Sequence, residues 1–161
     1  MASENGTRDQ LLDLLRGGHA HMRLAEAVEH FPMALINAPV PNSDYTAWRL
    51  LEHIRIAQWD IVEFTRNAEH VSPPWPIGYW PPAGQTAGPR EWEQSIAGWR
   101  SNLEAMLALV GDPQTDLWAP LPHAPGYTVL REVLVLADHN AYHLGEFGLL
   151  RQILESQAAA A

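Results

Sequence analysis

The stretch Val129–Glu155, VLREVLVLADHNAYHLGEFGLLRQILE, decides the fold. Its apolar residues recur at helical rather than alternating spacing, which predicts one long helix from about Thr128 to Gln157. Thr128 can cap it, with Arg131 and Glu132 in the first turn, and Ala158 to Ala161 should fray. Inside it, DHNAYHLGE (Asp138–Glu146) puts His139 and His143 four residues apart, one turn along the same face.

Three further segments carry the same period. The first runs from about Thr7 to Phe31, with Leu11, Leu12, Leu14 and Leu15 on its early face, and Gly17-Gly18 should break or kink it. YTAWRLLEHIRIAQWDIVEFTRN (45–67) places Trp48, Leu51, Gln58 and Ile61-Val62 at helical spacing, with Ser43, Asp44 or Thr46 available as N-cap. PREWEQSIAGWRSNLEAMLALVGDP (89–113) has proline in its first turn and Gly-Asp-Pro at its end, which are start and stop signals.

No run alternates as a strand does, so the fold class is all-α. Four long helices with short and longer connections predict an antiparallel-type four-helix bundle, where sites form between facing helices. The 161 residues fit a single domain, 1–161, with an ordered core over 5–157.

The longest connection, AEHVSPPWPIGYWPPAGQTAG (68–88), exceeds the length at which structureless loops become uncommon. Its prolines restrict it and Trp75, Tyr79 and Trp80 need somewhere to pack, so it reads as an ordered flap over one end or side of the bundle. The loop Pro120–Tyr127, just before the histidine helix, could cover the same region.

Composition excludes several functions. Ten Lys plus Arg stand against nineteen Asp plus Glu, a formal charge of -9, and the positive charges are scattered, which argues against nucleic acid and anionic membranes. With no cysteine there is no disulfide, no thiolate nucleophile and no cysteine-based zinc site. The N-terminus lacks the basic start and apolar stretch of a signal peptide and no later run is long enough to span a membrane, so the expected location is the cytoplasm.

Any metal must therefore be held by His, Asp or Glu. His139 and His143 match the spacing of a zinc-peptidase pair, but Asn140 stands where such enzymes carry their glutamate. A third ligand is needed, and His53, in the middle of a separate helical segment, is the best candidate. Three neutral imidazoles leave a divalent ion its full charge and open positions for water or substrate. Glu146, three residues after His143, is on the right face to accept a proton or orient that water, and Asp60, two turns after His53, could do the same.

Each has a plainer reading. A lone helical histidine is ordinarily a partly buried residue, and Glu146 and Asp60 read equally as solvated helix acids. His19, His21, His30, His70 and His123 read as surface, cap or loop residues, although His21 and His123 could approach a pocket. Trp48, Trp59, Trp92 and Trp99 are most simply core or interface residues.

Taken in order, WRLLEHIRIAQWDIVEFTRN, SPPWPIGYWPP and GYTVLREVLVLADHNAYHLGEFGLLRQIL resemble the DinB-like superfamily, in particular its single-domain bacterial members, from about Leu11 to Leu154. The resemblance implies an up-down-down-up four-helix bundle, often a homodimer, with a divalent metal on three histidines. The histidine of LLEH is His53, and those of DHNAYH are His139 and His143. Similar members often carry histidine where this chain has Tyr45, and glutamine where it has Glu146. Members of known activity are thiol-dependent transferases or isomerases, and others are described as metal-dependent hydrolases.

The expected function is therefore a metal-dependent enzyme in which zinc or nickel, or else iron, activates water or a low-molecular-weight thiol cosubstrate against a small electrophile. The thiol must come from outside, since the chain has none. The competing readings are a non-catalytic bundle that binds a metal or small ligand, and a metal-free helical interaction module.

Overall fold

The computed structural model describes residues 2–160. Five α-helices account for most of them: α1 (Ala2–Arg16), α2 (Leu24–Val28), α3 (Ala47–Arg66), α4 (Pro89–Gly111) and α5 (Val129–Ala160). The expected first segment is divided at the paired glycines. Gly17 and Gly18 take positive φ, +66° and +88°, which only glycine adopts at little cost, and α1 ends at Arg16.

The cap residues act as their chemistry requires. The Thr46 hydroxyl accepts from the Arg49 amide at the start of α3, and the Thr128 hydroxyl from the Arg131 amide at the start of α5. At α4 the Glu91 carboxylate accepts from the Gly88 amide, and Pro89 takes the first position, where a missing N–H costs nothing. The far end of α4 is capped from α1: the buried Arg8 guanidinium donates to the carbonyls of Val110, Asp112 and Thr115. α5 stays helical through Ala160, including Ala158 to Ala160, where fraying was expected; Ala161 lies outside the described residues.

α3 is the central helix. It packs against both α4 and α5, so its buried residues, from Ala47 to Thr65, lie on more than one face. Near its start Trp48 Nε1 donates to Ser95 Oγ of α4, and further along Gln58 Nε2 donates to the Trp99 carbonyl. Two apolar clusters form. One gathers Phe31, Trp48, Leu51, Trp92, Phe147 and Leu150; the other gathers Leu11, Leu15, Val62, Met106, Val133 and Leu136.

Between the clusters lies a polar layer. On α3, Ile54 belongs to the first cluster and Val62 to the second; on α5, Leu144 belongs to the first and Leu136 to the second. Gln58 and Asn140 fall in these gaps and hydrogen-bond each other at 2.8 Å. His53, His139 and His143 flank the same level.

The sequence reading missed a small sheet. Pro120–Leu121 pairs antiparallel with Ala124–Thr128, a hairpin too short and too rich in proline to show alternation. Its Tyr127 lines one pocket with Asp60, Phe64 and the flap residue Ser72, so hairpin and flap meet over the same part of α3. His123 donates to the Phe64 carbonyl and Tyr127 meets the Phe64 ring edge-on, which places the hairpin eleven residues past His53, about 16 Å further along the α3 axis.

The flap contains a 3-10 turn, Ile77–Tyr79, and lies along α3. Tyr79 and Trp80 pack inward, whereas Trp75, for which packing was expected, is exposed together with Val71 and Ile77. No described helix is long and apolar enough to cross a membrane.

Candidate metal centre

His53 is buried at the middle of α3, and His139 and His143 sit one turn apart on α5, which lies against it. Their Nε2 atoms converge. His53 Nε2 stands 3.1 Å from His143 Nε2 and 3.3 Å from His139 Nε2, and one ligating nitrogen from each residue falls within 4.8 Å of the others.

The opposite ring nitrogens explain what those close approaches mean. His53 Nδ1 lies 2.8 Å from the Tyr79 carbonyl oxygen, and His143 Nδ1 lies 2.7 Å from Glu146 Oε2. Both partners can only accept, so each Nδ1 carries its proton and donates. In the neutral rings the Nε2 atoms then hold lone pairs, and two lone pairs face one another across 3.1 Å. Such an arrangement repels unless a cation, metal ion or proton, stands with it.

The spacing suits a metal ion. Two nitrogens bound to one ion at about 2.1 Å are about 3.0 to 3.4 Å apart for angles between a right angle and tetrahedral. A carboxylate or carbonyl on the far nitrogen of a ligating imidazole is the usual supporting contact. His139 Nδ1 and Asn140 Oδ1 are both buried and neither makes a well-formed hydrogen bond among the described residues.

Electrostatics keep two of the rings neutral. Burial pushes His53 down to about 4, against the upward pull of the Tyr79 carbonyl, and His143 beside it adds to the depression. Burial, reinforced by His143 and His53, pushes His139 down to about 3. At neutral pH both offer lone pairs rather than positive charge.

Aromatic rings wall one side. Trp80 stacks flat on His53 at 3.9 Å and Tyr45 stacks on Trp80 at 5.2 Å, while Tyr142 meets His143 edge-on. Tyr45 and Tyr142 both face Glu146: burial and then that carboxylate raise Tyr45 to about 12, and the carboxylate raises Tyr142 as well.

The other proposed residues lie elsewhere. Asp60 is buried, but its carboxylate meets His70 Nε2 at 2.7 Å and the Tyr79 hydroxyl at 2.5 Å, not the three imidazoles. His21 bonds the Met22 carbonyl and lines a small cavity with Leu24, Trp99 and Asn140, and His123 belongs to the hairpin. Asn140 points its amide at Gln58. Tyr79 and Trp80 were read only as loop aromatics, and nothing in a loop's sequence shows which carbonyl will face a helix.

A family model described as the DinB superfamily matches residues 17–147, most of the chain. No curated protein and no solved structure matches it.

Proposed function

We propose, from the premise that the chain belongs to the DinB superfamily, that His53, His139 and His143 hold one divalent ion, and that the protein is a metal-dependent hydrolase or thiol-dependent transferase acting on a small electrophile. The observation that carries the reading is the convergence of the His53 and His143 Nε2 atoms to 3.1 Å, with an acceptor at the far nitrogen of each ring. A bound ion supplies a Lewis acid that makes a water or low-molecular-weight thiol easier to deprotonate. Imidazole donors suit zinc, nickel, iron and copper alike, and zinc or nickel is the ion proposed here.

The chain's own residues would divide the remaining work. Glu146 holds His143 in one tautomer through Oε2 and also faces the Tyr45 and Tyr142 hydroxyls, and its carboxylate is the group placed to receive a proton from water or thiol. Trp80 covers one face of His53 and excludes water from it. Tyr45 and Tyr142 set the side from which a small substrate approaches.

Helix pairing supports the finer fold reading, an up-down-down-up four-helix bundle. Trp48 with Ser95 and Gln58 with Trp99 run in the same order along α3 and α4, as parallel neighbours would. Parallel neighbours need a long return connection, which 68–88 supplies. We further propose a single domain over 1–161, in the cytoplasm, with no nucleic-acid or membrane partner, and a homodimer, for which the exposed stripe Leu134, Tyr142 and Leu149 of α5 is the supporting feature.

The test is turnover of a panel of electrophiles with and without added thiol and divalent metal. Metal-dependent consumption, lost in His143→Ala, supports the enzyme. A second reading, a non-catalytic metal or small-ligand binder, is favoured by one observation, that the acid nearest the imidazoles is already engaged by His143. Tight metal binding without turnover of any electrophile would select it.

A further inference from the structure

Beneath the flap lies a buried polar cluster that the proposed chemistry does not use. The side chains of Asp60 and His70 are about nine-tenths shielded from solvent, and the carboxylate divides its oxygens, Oδ1 to His70 Nε2 at 2.7 Å and Oδ2 to the Tyr79 hydroxyl at 2.5 Å. His70 is itself held edge-on by Trp59 at 5.1 Å. A carboxylate this deep is retained only where its acceptor sites are filled.

Tyr79 is the residue that links this cluster to the histidines. Its hydroxyl is anchored at Asp60, and its backbone carbonyl receives the His53 Nδ1 proton at 2.8 Å. Asp60 lies seven residues after His53, two turns and about 10.5 Å along one face of α3. Tyr79 therefore bridges two turns of the helix, with its backbone at one end and its phenol at the other. The next residue, Trp80, is the ring stacked on His53.

We infer that Asp60 and Tyr79 are positioning residues for the proposed metal site: the Asp60 carboxylate holds the Tyr79 phenol, and so places the carbonyl and the indole that fix the tautomer and plane of His53. The inference rests on the metal reading above.

The phenol anchor acts together with the flap's other contacts. Val71, Trp75 and Ile77 are exposed, so apolar packing of the flap here falls to Trp80, which lies on His53 and Tyr45. Other ties include the internal bonds of the Gly78 and Tyr79 amides to the Pro74 and Pro76 carbonyls, Arg49 to the Pro81 carbonyl at 3.2 Å, and the Asn37 side chain to the Ala87 backbone further along the flap. The phenol–carboxylate bond ties the Tyr79 side chain to α3 independently of the carbonyl's own bond to His53.

The test uses the full chain, freed of metal, titrated with Co²⁺ as wild type, Tyr79→Phe, Asp60→Ala and Asp60→Asn. Affinity is read by competition with a chelator, and ligand geometry by the visible d–d spectrum. Tyr79→Phe keeps the ring and the backbone carbonyl and loses only the anchoring hydroxyl, so it should fold. It is expected to bind Co²⁺ about ten-fold more weakly than wild type, with an altered spectrum, the size of effect a lost supporting contact has on a metal site. Asp60→Ala should do the same, and Asp60→Asn, which can still accept from the phenol, should recover part of the loss.

A lower melting temperature for Tyr79→Phe, with wild-type affinity and an unchanged spectrum, would make the cluster a structural tie only and overturn the inference. Wild type that binds no Co²⁺ would overturn it together with the metal reading, a different result from unchanged binding in the variant.

Discussion

His53 and His143 come from different helices, yet their Nε2 atoms stand 3.1 Å apart while both Nδ1 atoms are held from behind, one by the Tyr79 carbonyl and the other by Glu146. The two supports differ in kind, a neutral loop carbonyl and a charged helix side chain. They should therefore respond differently to mutation.

Glu146→Gln keeps an oxygen able to accept from His143 and loses the charge. Metal affinity should fall by less than ten-fold, whereas Glu146→Ala, which removes the acceptor, should weaken binding about 10- to 100-fold. Chelator competition on both variants measures the difference. If the Glu146 carboxylate also takes a proton in the reaction, Glu146→Gln should lose most turnover despite near-normal metal content.

Gly78 sits one residue before the carbonyl that supports His53. A Cβ there would lie 2.6 Å from Pro73 Cβ and 2.9 Å from Pro74 Cδ, and neither ring can swing away. Gly78→Ala should displace the turn, weaken metal binding and release the stack of Trp80 on His53. Increased Trp80 exposure, followed by fluorescence quenching, would accompany it, and an unperturbed quenching profile would count against the account of the flap.

Arg8→Leu tests how α1 is fastened. The substitution leaves the carbonyls of Val110, Asp112 and Thr115 without their donor, and an unmet buried carbonyl costs about 1 to 3 kcal/mol. Urea unfolding should show a loss of that order, with metal affinity of the folded protein unchanged.

Met106→Ala empties part of the second apolar cluster, away from the histidines. Burial of Met106 is complete, and truncation of such a side chain costs about 2 to 5 kcal/mol. Chemical denaturation should register the loss while the Co²⁺ spectrum stays that of wild type. A changed spectrum would mean that the cluster and the site are coupled.

The helices and the histidines were legible for one reason, periodicity. His139 and His143 share a helix face by spacing alone, and His53 stands in a segment whose apolar period already required a neighbour. What supports them was not legible. Tyr79 acts through a backbone carbonyl, Asp60 through a loop residue nineteen positions on, and Arg8 through carbonyls about a hundred residues away, and no local pattern encodes such partners. Asn140 drew notice as a missing acid, but its amide serves the polar layer with Gln58. The hairpin at Pro120–Thr128 escaped because a two-residue strand has no period to detect and its five-residue partner, APGYT, does not alternate apolar with polar.

The most direct test of the metal centre is elemental analysis of protein purified without an affinity tag, as wild type, His53→Ala and His143→Ala. The account predicts about one equivalent of a divalent transition metal in the wild type and little in either variant. Equal metal content in all three, or none in a wild type that stays empty after incubation with zinc and nickel, would contradict it.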